Sequence, residues 1–214
     1  MKNKILHVNA TLRRYIEDTI FPAYSQNDKG HQLEHIQYVI RRSFFLMDQL
    51  DDLDVNMVYT IAAYHDIAHH MNKDQHEMLS AQVFWMDDAI KQFFTEKQRK
   101  IIREAIEDHR ASSAAPPRSD YGKLISSADR STDLDEFFRR THAYSIKHFP
   151  DNTLEQNMER CYQHMRNKYG EGGYAKSYVA DEEYKLFCQE IQRLLNDRSG
   201  FERKYLNVIS GKSQ

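Results

Sequence analysis

Val55-Asn56-Met57-Val58-Tyr59-Thr60-Ile61-Ala62-Ala63-Tyr64-His65-Asp66-Ile67-Ala68-His69-His70 is an apolar stretch that ends in imidazoles and a carboxylate. Val58, Ile61, Ala62, Ala63 and Tyr64 leave almost no polar face, so a helix from about Asp54 to His70 with a buried middle is predicted. His65 and Asp66 then lie inside that helix or at its end. A charged carboxylate is costly in such a place unless something compensates it. A metal ion would compensate, and so would a braced His–Asp pair.

The flanking sequence is helical in the same way. Upstream, between His31 and Asp48, Ile36, Val39, Ile40, Phe44 and Met47 recur at spacings of three and four, one apolar helix face. Downstream, residues near 76–93 and 96–109 read as two helices joined at Thr95, a good N-cap. Pro116-Pro117 makes 111–120 a loop. Helix resumes from Tyr121 to about Arg140, again from Thr153 to Lys168 after Pro150, and again from Asp181 to about Asp197. Gly170-Glu171-Gly172-Gly173 is a break. It lacks the GxxxxGK[ST] pattern of a phosphate loop.

No strand alternation is sustained and no internal repeat is found. With 7 Gly and 4 Pro in 214 residues, turns are too few for a β protein. The expected fold is all-α, a single helical bundle of eight or nine helices. Residues 1–170 would form the domain, with a core at about 30–140. Residues 171–214 would be a C-terminal helical extension packed on it.

Composition excludes several function classes. Lys plus Arg is 30 and Asp plus Glu is 32, a net charge of −2, so there is no electrostatic footprint for a nucleic-acid polymer. Cys161 and Cys188 form no CxxC, and Cys161 shares a helix face with Met158 and Met165. The first fifteen residues carry scattered charges and no apolar core, and the apolar runs elsewhere are too short to span a bilayer. No membrane partner and a cytoplasmic location are therefore expected.

Two further residues join His65 and Asp66. His35 lies on the preceding helix, displaced from its apolar stripe. Asp129 ends Leu124-Ile125-Ser126-Ser127-Ala128-Asp129, a closely packing helix. Two imidazoles and two carboxylates suit a divalent ion such as Mn, Fe, Ni, Mg or Zn. Four protein ligands on an octahedral ion leave two positions for water or substrate, as a catalytic site requires. Rival motifs fail. His31-Gln32-Leu33-Glu34-His35 has Gln32 where a zincin needs its general-base Glu, and no Glu-x-x-His occurs for a carboxylate-bridged bundle.

The ordered set His35, His65-Asp66, Asp129 resembles the H…HD…D signature of the HD-domain metal-dependent phosphohydrolases. Ala62-Ala63-Tyr64-His65-Asp66-Ile67-Ala68 is similar to the family's AAxxHDIG segment, with Ala68 for the usual Gly. Ser127-Ala128-Asp129 is similar to its DAD segment, with Ser127 for the first Asp. The resemblance spans roughly residues 30–140. It implies His35, His65, Asp66 and Asp129 as metal ligands, with Asp66 and His65 at the chemistry. His76, in a segment similar to HxxxSA, and His109 match positions that hold a second metal in the binuclear branch. The other reading makes them phosphate contacts beside one ion.

The stretch EDHRAS…PRSDYGKxxSxADR resembles that of a subgroup of small bacterial members. It directs attention to Arg110 and Arg118 as substrate contacts, with Lys123, Arg130 and His69 as further candidates. The implied function is hydrolysis of a nucleotide or other small phosphate ester by a metal-activated water. Two alternatives stay open: an HD-fold di-iron oxygenase, and a non-catalytic, metal-stabilised helical module. His7, His142, His148 and His164 show no partners in the sequence and are expected at the surface. Tyr174, Tyr178 and Tyr184 are expected to be exposed, where they would serve a homo-oligomer interface or a wall over the site.

Overall fold

The computed structural model describes residues 4–211. Among them there is no strand, and the all-α expectation holds. Among the described residues no helix is long and apolar enough to cross a membrane. The chain forms two compact units. One contains the residues up to Asp129 together with Ser177–Ala180, and the other contains 130–176 and the residues from Asp181 on.

In the first unit, helix α1 (Ala10–Tyr15) is capped by Asn9, whose side chain accepts from the N–H of Thr11 and Leu12. It runs on through a π turn, Ile16–Ile20, into Phe21–Ala23. Helix α2 (Leu33–Leu46) follows and buries Ile36, Val39, Ile40 and Phe44, the predicted stripe. Helix α3 (Val55–Tyr64) starts at Asp54, which accepts from Asn56 and Met57, and every residue from Met57 to Tyr64 is buried. Helices α4 (His76–Met86), α5 (Glu96–Asp108) and α6 (Asp120–Ala128) complete the unit. Helix α3 packs against α2, α5 and α6, so it forms the centre of the core. Ala62 and Ala63 at 0% exposure allow this close approach.

The second unit contains α7 (Leu134–His148), α8 (Leu154–Tyr169), α9 (Glu182–Asn196) and α10 (Arg198–Ile209). Its own core includes Phe138, Cys161, Met165, Ile191, Leu194 and Phe201. Residue 170, where the sequence breaks, lies at the end of α8 inside this unit.

Several local expectations hold. Thr95 and Thr153 each cap a helix through a full capping box, with Gln98 and Gln156 as the reciprocal partners. Others are corrected. Helix α3 stops at Tyr64 instead of reaching His70. The next residues form consecutive tight turns, with Ile67, His69 and Met71 donating to the carbonyls of Tyr64, Asp66 and Ala68. Residues 121–140 are two helices, because the chain leaves the helix after Ala128 and Asp133 caps a new one. The final helix α10 falls within the expected helical extension, beyond the last helix that the sequence delimits, and carries mixed polar residues on a weak apolar stripe. Tyr184 is buried, its hydroxyl donating to the Ala175 carbonyl. His142 lies 2.5 Å from the Tyr205 hydroxyl and His164 stacks on Phe137, so neither lacks partners.

Candidate metal centre

The turn after α3 gathers the titratable groups. His65 is fully buried and Asp66 is 3% exposed. His35, from α2, lies with its Nε2 3.1 Å from Asp129 Oδ1 and 3.7 Å from Asp66 Oδ2. His65 Nε2 is 3.5 Å from Asp66 Oδ2 and 3.8 Å from Asp129 Oδ1. The other carboxylate oxygen faces a second group. Asp66 Oδ1 is 3.3 Å from Nε2 of His76, at the start of α4, and 3.3 Å from Nε2 of His109, at the end of α5. All six residues marked by the sequence as metal or second-metal candidates are thus brought together.

The backbone sets the tautomers. Nδ1 of His65 lies 2.9 Å from the Ala62 carbonyl, Nδ1 of His76 lies 2.8 Å from that of Lys73, and Nδ1 of His109 lies 2.6 Å from that of Ile106. A carbonyl only accepts, so each Nδ1 carries the hydrogen and donates it. In the neutral ring, each Nε2 then presents a lone pair to the centre. The Nε2 atoms of His76 and His109 are 3.1 Å apart. Two lone pairs at that distance repel unless a cation lies by them.

Three more observations fit a metal. Nε2 of His35, Nε2 of His65 and Oδ1 of Asp66 are buried and make no hydrogen bond. Buried polar atoms are otherwise nearly always satisfied. Ligand atoms on bonds of about 2.1 Å in an octahedral shell sit roughly 3 Å apart, close to these separations. The donor set is imidazole and carboxylate, which suits Mn, Fe, Ni or Zn. Two groups, His35–His65–Asp66 and Asp66–His76–His109, each converge tightly enough to hold an ion, and Asp66 belongs to both.

The electrostatics agree. Burial works to raise Asp66, but the imidazoles of His65 and His109 hold it well below the usual carboxylate range. Burial opposes charge on His109, yet the Asp66 carboxylate raises it. Burial lowers His65 to about 4, and burial together with His31 lowers His69 to about 4. A histidine lowered on folding binds fewer protons folded than unfolded. Its stabilisation is complete above about 6.5 and is lost as the pH falls toward 4. For His65 this is on the order of 3 kcal/mol. His109 acts in the opposite sense. The melting temperature, measured in buffers from pH 7 to pH 4, is expected to fall most steeply below 6.5. A flat profile through that window would contradict this assignment.

A third group, not expected as a unit from the sequence, borders the centre. His69 stacks on His31 with ring centroids 3.7 Å apart, and its ring is 5.1 Å from that of His76. His31 Nδ1 is 2.7 Å from Asp28 Oδ1, and Lys73 Nζ is 3.1 Å from Asp28 Oδ2. His31 is visible in the HQLEH pattern. Asp28 gives no sequence signal, because it acts by capping the short turn Lys29–His31. Asn27 is buried and ties these pieces together. Its amide donates to the carbonyls of His31 and Asp66, and its oxygen accepts from the N–H of His70. Asn27→Ala is expected to cost about 2–3 kcal/mol in stability and roughly 10–100-fold in metal affinity. Thermal melts and Mn²⁺ titration read both.

The four cations proposed for substrate are not gathered at the centre in the same way. Arg118 donates to Asp108, Glu107 and the Glu104 carbonyl. Gly122 sits against this clamp, where a Cβ would meet Asp108 at 2.9 Å and Pro117 at 3.0 Å. Arg110 pairs with Glu77 and the Asp74 carbonyl, and Lys123 with Asp120. Arg130 belongs to the second unit, where its Nε donates to the Lys176 carbonyl. The family departures are also absorbed locally. Asp52 is the one described non-glycine residue with positive φ, so Ala68 needs no glycine, and its N–H donates to the Ser80 hydroxyl. Ser127 donates to the Lys123 carbonyl and accepts from the Tyr178 N–H.

Comparison with known proteins agrees with this picture. Residues 33–133 match the family model described as HD domain. The segment spans α2 to the start of the second unit and contains His35, His65, Asp66, His76, His109 and Asp129. Through it residues 33–133 are identified as an HD domain. No curated protein and no solved structure matches the chain.

Proposed function

We propose that this chain is a two-metal phosphohydrolase acting on a nucleotide or another small phosphate ester. The observation that carries this reading is Asp66, whose two oxygens face separate sets of imidazole nitrogens. His35, His65, Asp66 and Asp129 would hold one divalent ion, and Asp66, His76 and His109 a second. Such ions polarise a phosphoryl oxygen and make a water nucleophilic at neutral pH.

The chain's own residues do the rest. The carbonyls of Ala62, Lys73 and Ile106 fix the ring orientations, so no reorganisation is needed as charge develops. His69, whose ring lies beside that of His76, would donate to a substrate phosphate oxygen. His31, with Nδ1 held by Asp28, is oriented to give a proton to the leaving oxygen, as a carboxylate-oriented imidazole does. Arg110, Arg118, Lys123 and Arg130 are expected to matter less, since their head groups already bind protein acceptors.

The shared carboxylate also supports a second reading, a di-iron oxygenase, because the His-rich donor set suits iron. A panel of nucleotides and phosphate esters, incubated with Mn²⁺ under nitrogen and under air, separates the two. Phosphate or pyrophosphate release that is equal in both atmospheres is the expected result. Turnover that needs both iron and oxygen would overturn the hydrolase reading.

A further inference from the structure

The second unit contains a cavity of about 420 Å³ between α7 and α8. That is within the range of small-molecule sites. Every lining residue falls between Ser131 and Tyr169, so the cavity is formed by this unit alone. Its charge is one-sided: Arg140, Arg160 and Lys168 line it, and no carboxylate does.

Arg160 is held over the Phe149 ring, 3.5 Å from its centroid, and this cation–π contact pre-orients its planar fork. The hydroxyls of Thr141 and Ser145 add short donors. The walls are flat and aromatic. His164 stacks on Phe137 with the planes 2° apart, and Tyr144 and Tyr169 complete the lining. Burial, together with the charges of Lys168 and Arg160, lowers His164 to about 4. At neutral pH its ring is therefore an uncharged stacking surface carrying one N–H, and the positive charge is left to the three long cations.

From this juxtaposition we infer that the cavity is a second binding site, for a small aromatic molecule bearing a phosphate or phosphonate group. The anion would lie among Arg140, Arg160 and Lys168, where guanidinium forks match its oxygens. The ring would lie against Tyr169 and the His164–Phe137 stack.

Phenylphosphonate is a suitable probe, because its P–C bond resists a phosphoesterase and its ring fits the walls. Calorimetric titration of the full chain is expected to show one saturable site. Inorganic phosphate should bind at least tenfold more weakly. Arg160→Ala and Lys168→Gln, both at accessible positions, should each weaken phenylphosphonate by about tenfold or more, and Asp66→Ala should leave it unchanged. No binding by the wild type, equal affinity in the Arg160 and Lys168 variants, or loss in Asp66→Ala would each overturn the site. Phosphate binding as tight as phenylphosphonate would overturn its aromatic specificity.

Discussion

Asp66→Ala is expected to lower turnover by at least about a thousandfold, some 4 kcal/mol of transition-state stabilisation. Its helical circular dichroism should stay close to wild type. The side chain carries both effects. Its oxygens are the carboxylate atoms that face His65 and His35 on one side and His76 and His109 on the other. The backbone that shapes the turn is held separately, by Asn27 on the Asp66 carbonyl and by Ser80 on the Ala68 N–H. Alanine therefore removes the shared carboxylate without removing the scaffold. A variant within tenfold of wild type would show that Asp66 is not at the chemistry.

Chelation is expected to have the second largest effect. Four imidazoles and two carboxylates converge at the end of the most buried helix, and three of their atoms make no hydrogen bond. An ion that binds only the folded chain adds RT ln(1 + [L]/Kd), about 4 kcal/mol at a free concentration a thousand times Kd. For a chain of this size each kcal/mol moves the midpoint by roughly 2–4 °C. Excess EDTA should therefore lower the melting temperature by roughly 10 °C, and Mn²⁺ in excess should restore it. A melting curve unchanged by EDTA would contradict the site.

Much of this centre is legible in the sequence. His65 and Asp66 stand out because charge at the end of a wholly apolar helix needs compensation. His35 stands out because it lies off the apolar stripe and Asp129 because it ends a closely packing helix, whereas His76 and His109 stand out through the resemblance to the HD family. The tautomers, by contrast, depend on carbonyls three residues back, which become available only because α3 stops at Tyr64 and α5 at Asp108. That stop has no glycine or proline to announce it. Asn27, Asp28 and Lys73 act through loop hydrogen bonds across forty residues or a few, and no periodicity encodes them. The arginines are legible in the sequence, but their protein partners are not. Arg118 sits in a recognisable motif, but the motif serves its clamp on Asp108 and the tight approach of Gly122.

Counting bound ions tests the central claim most directly. The full chain, loaded with Mn²⁺ and freed of excess, is analysed by elemental mass spectrometry beside His76→Ala. The account predicts close to two ions per wild-type chain and close to one in the variant, whose Asp66–His109 side has lost its third ligand. A wild-type chain that retains no ion, or a count that His76→Ala leaves unchanged, would contradict it.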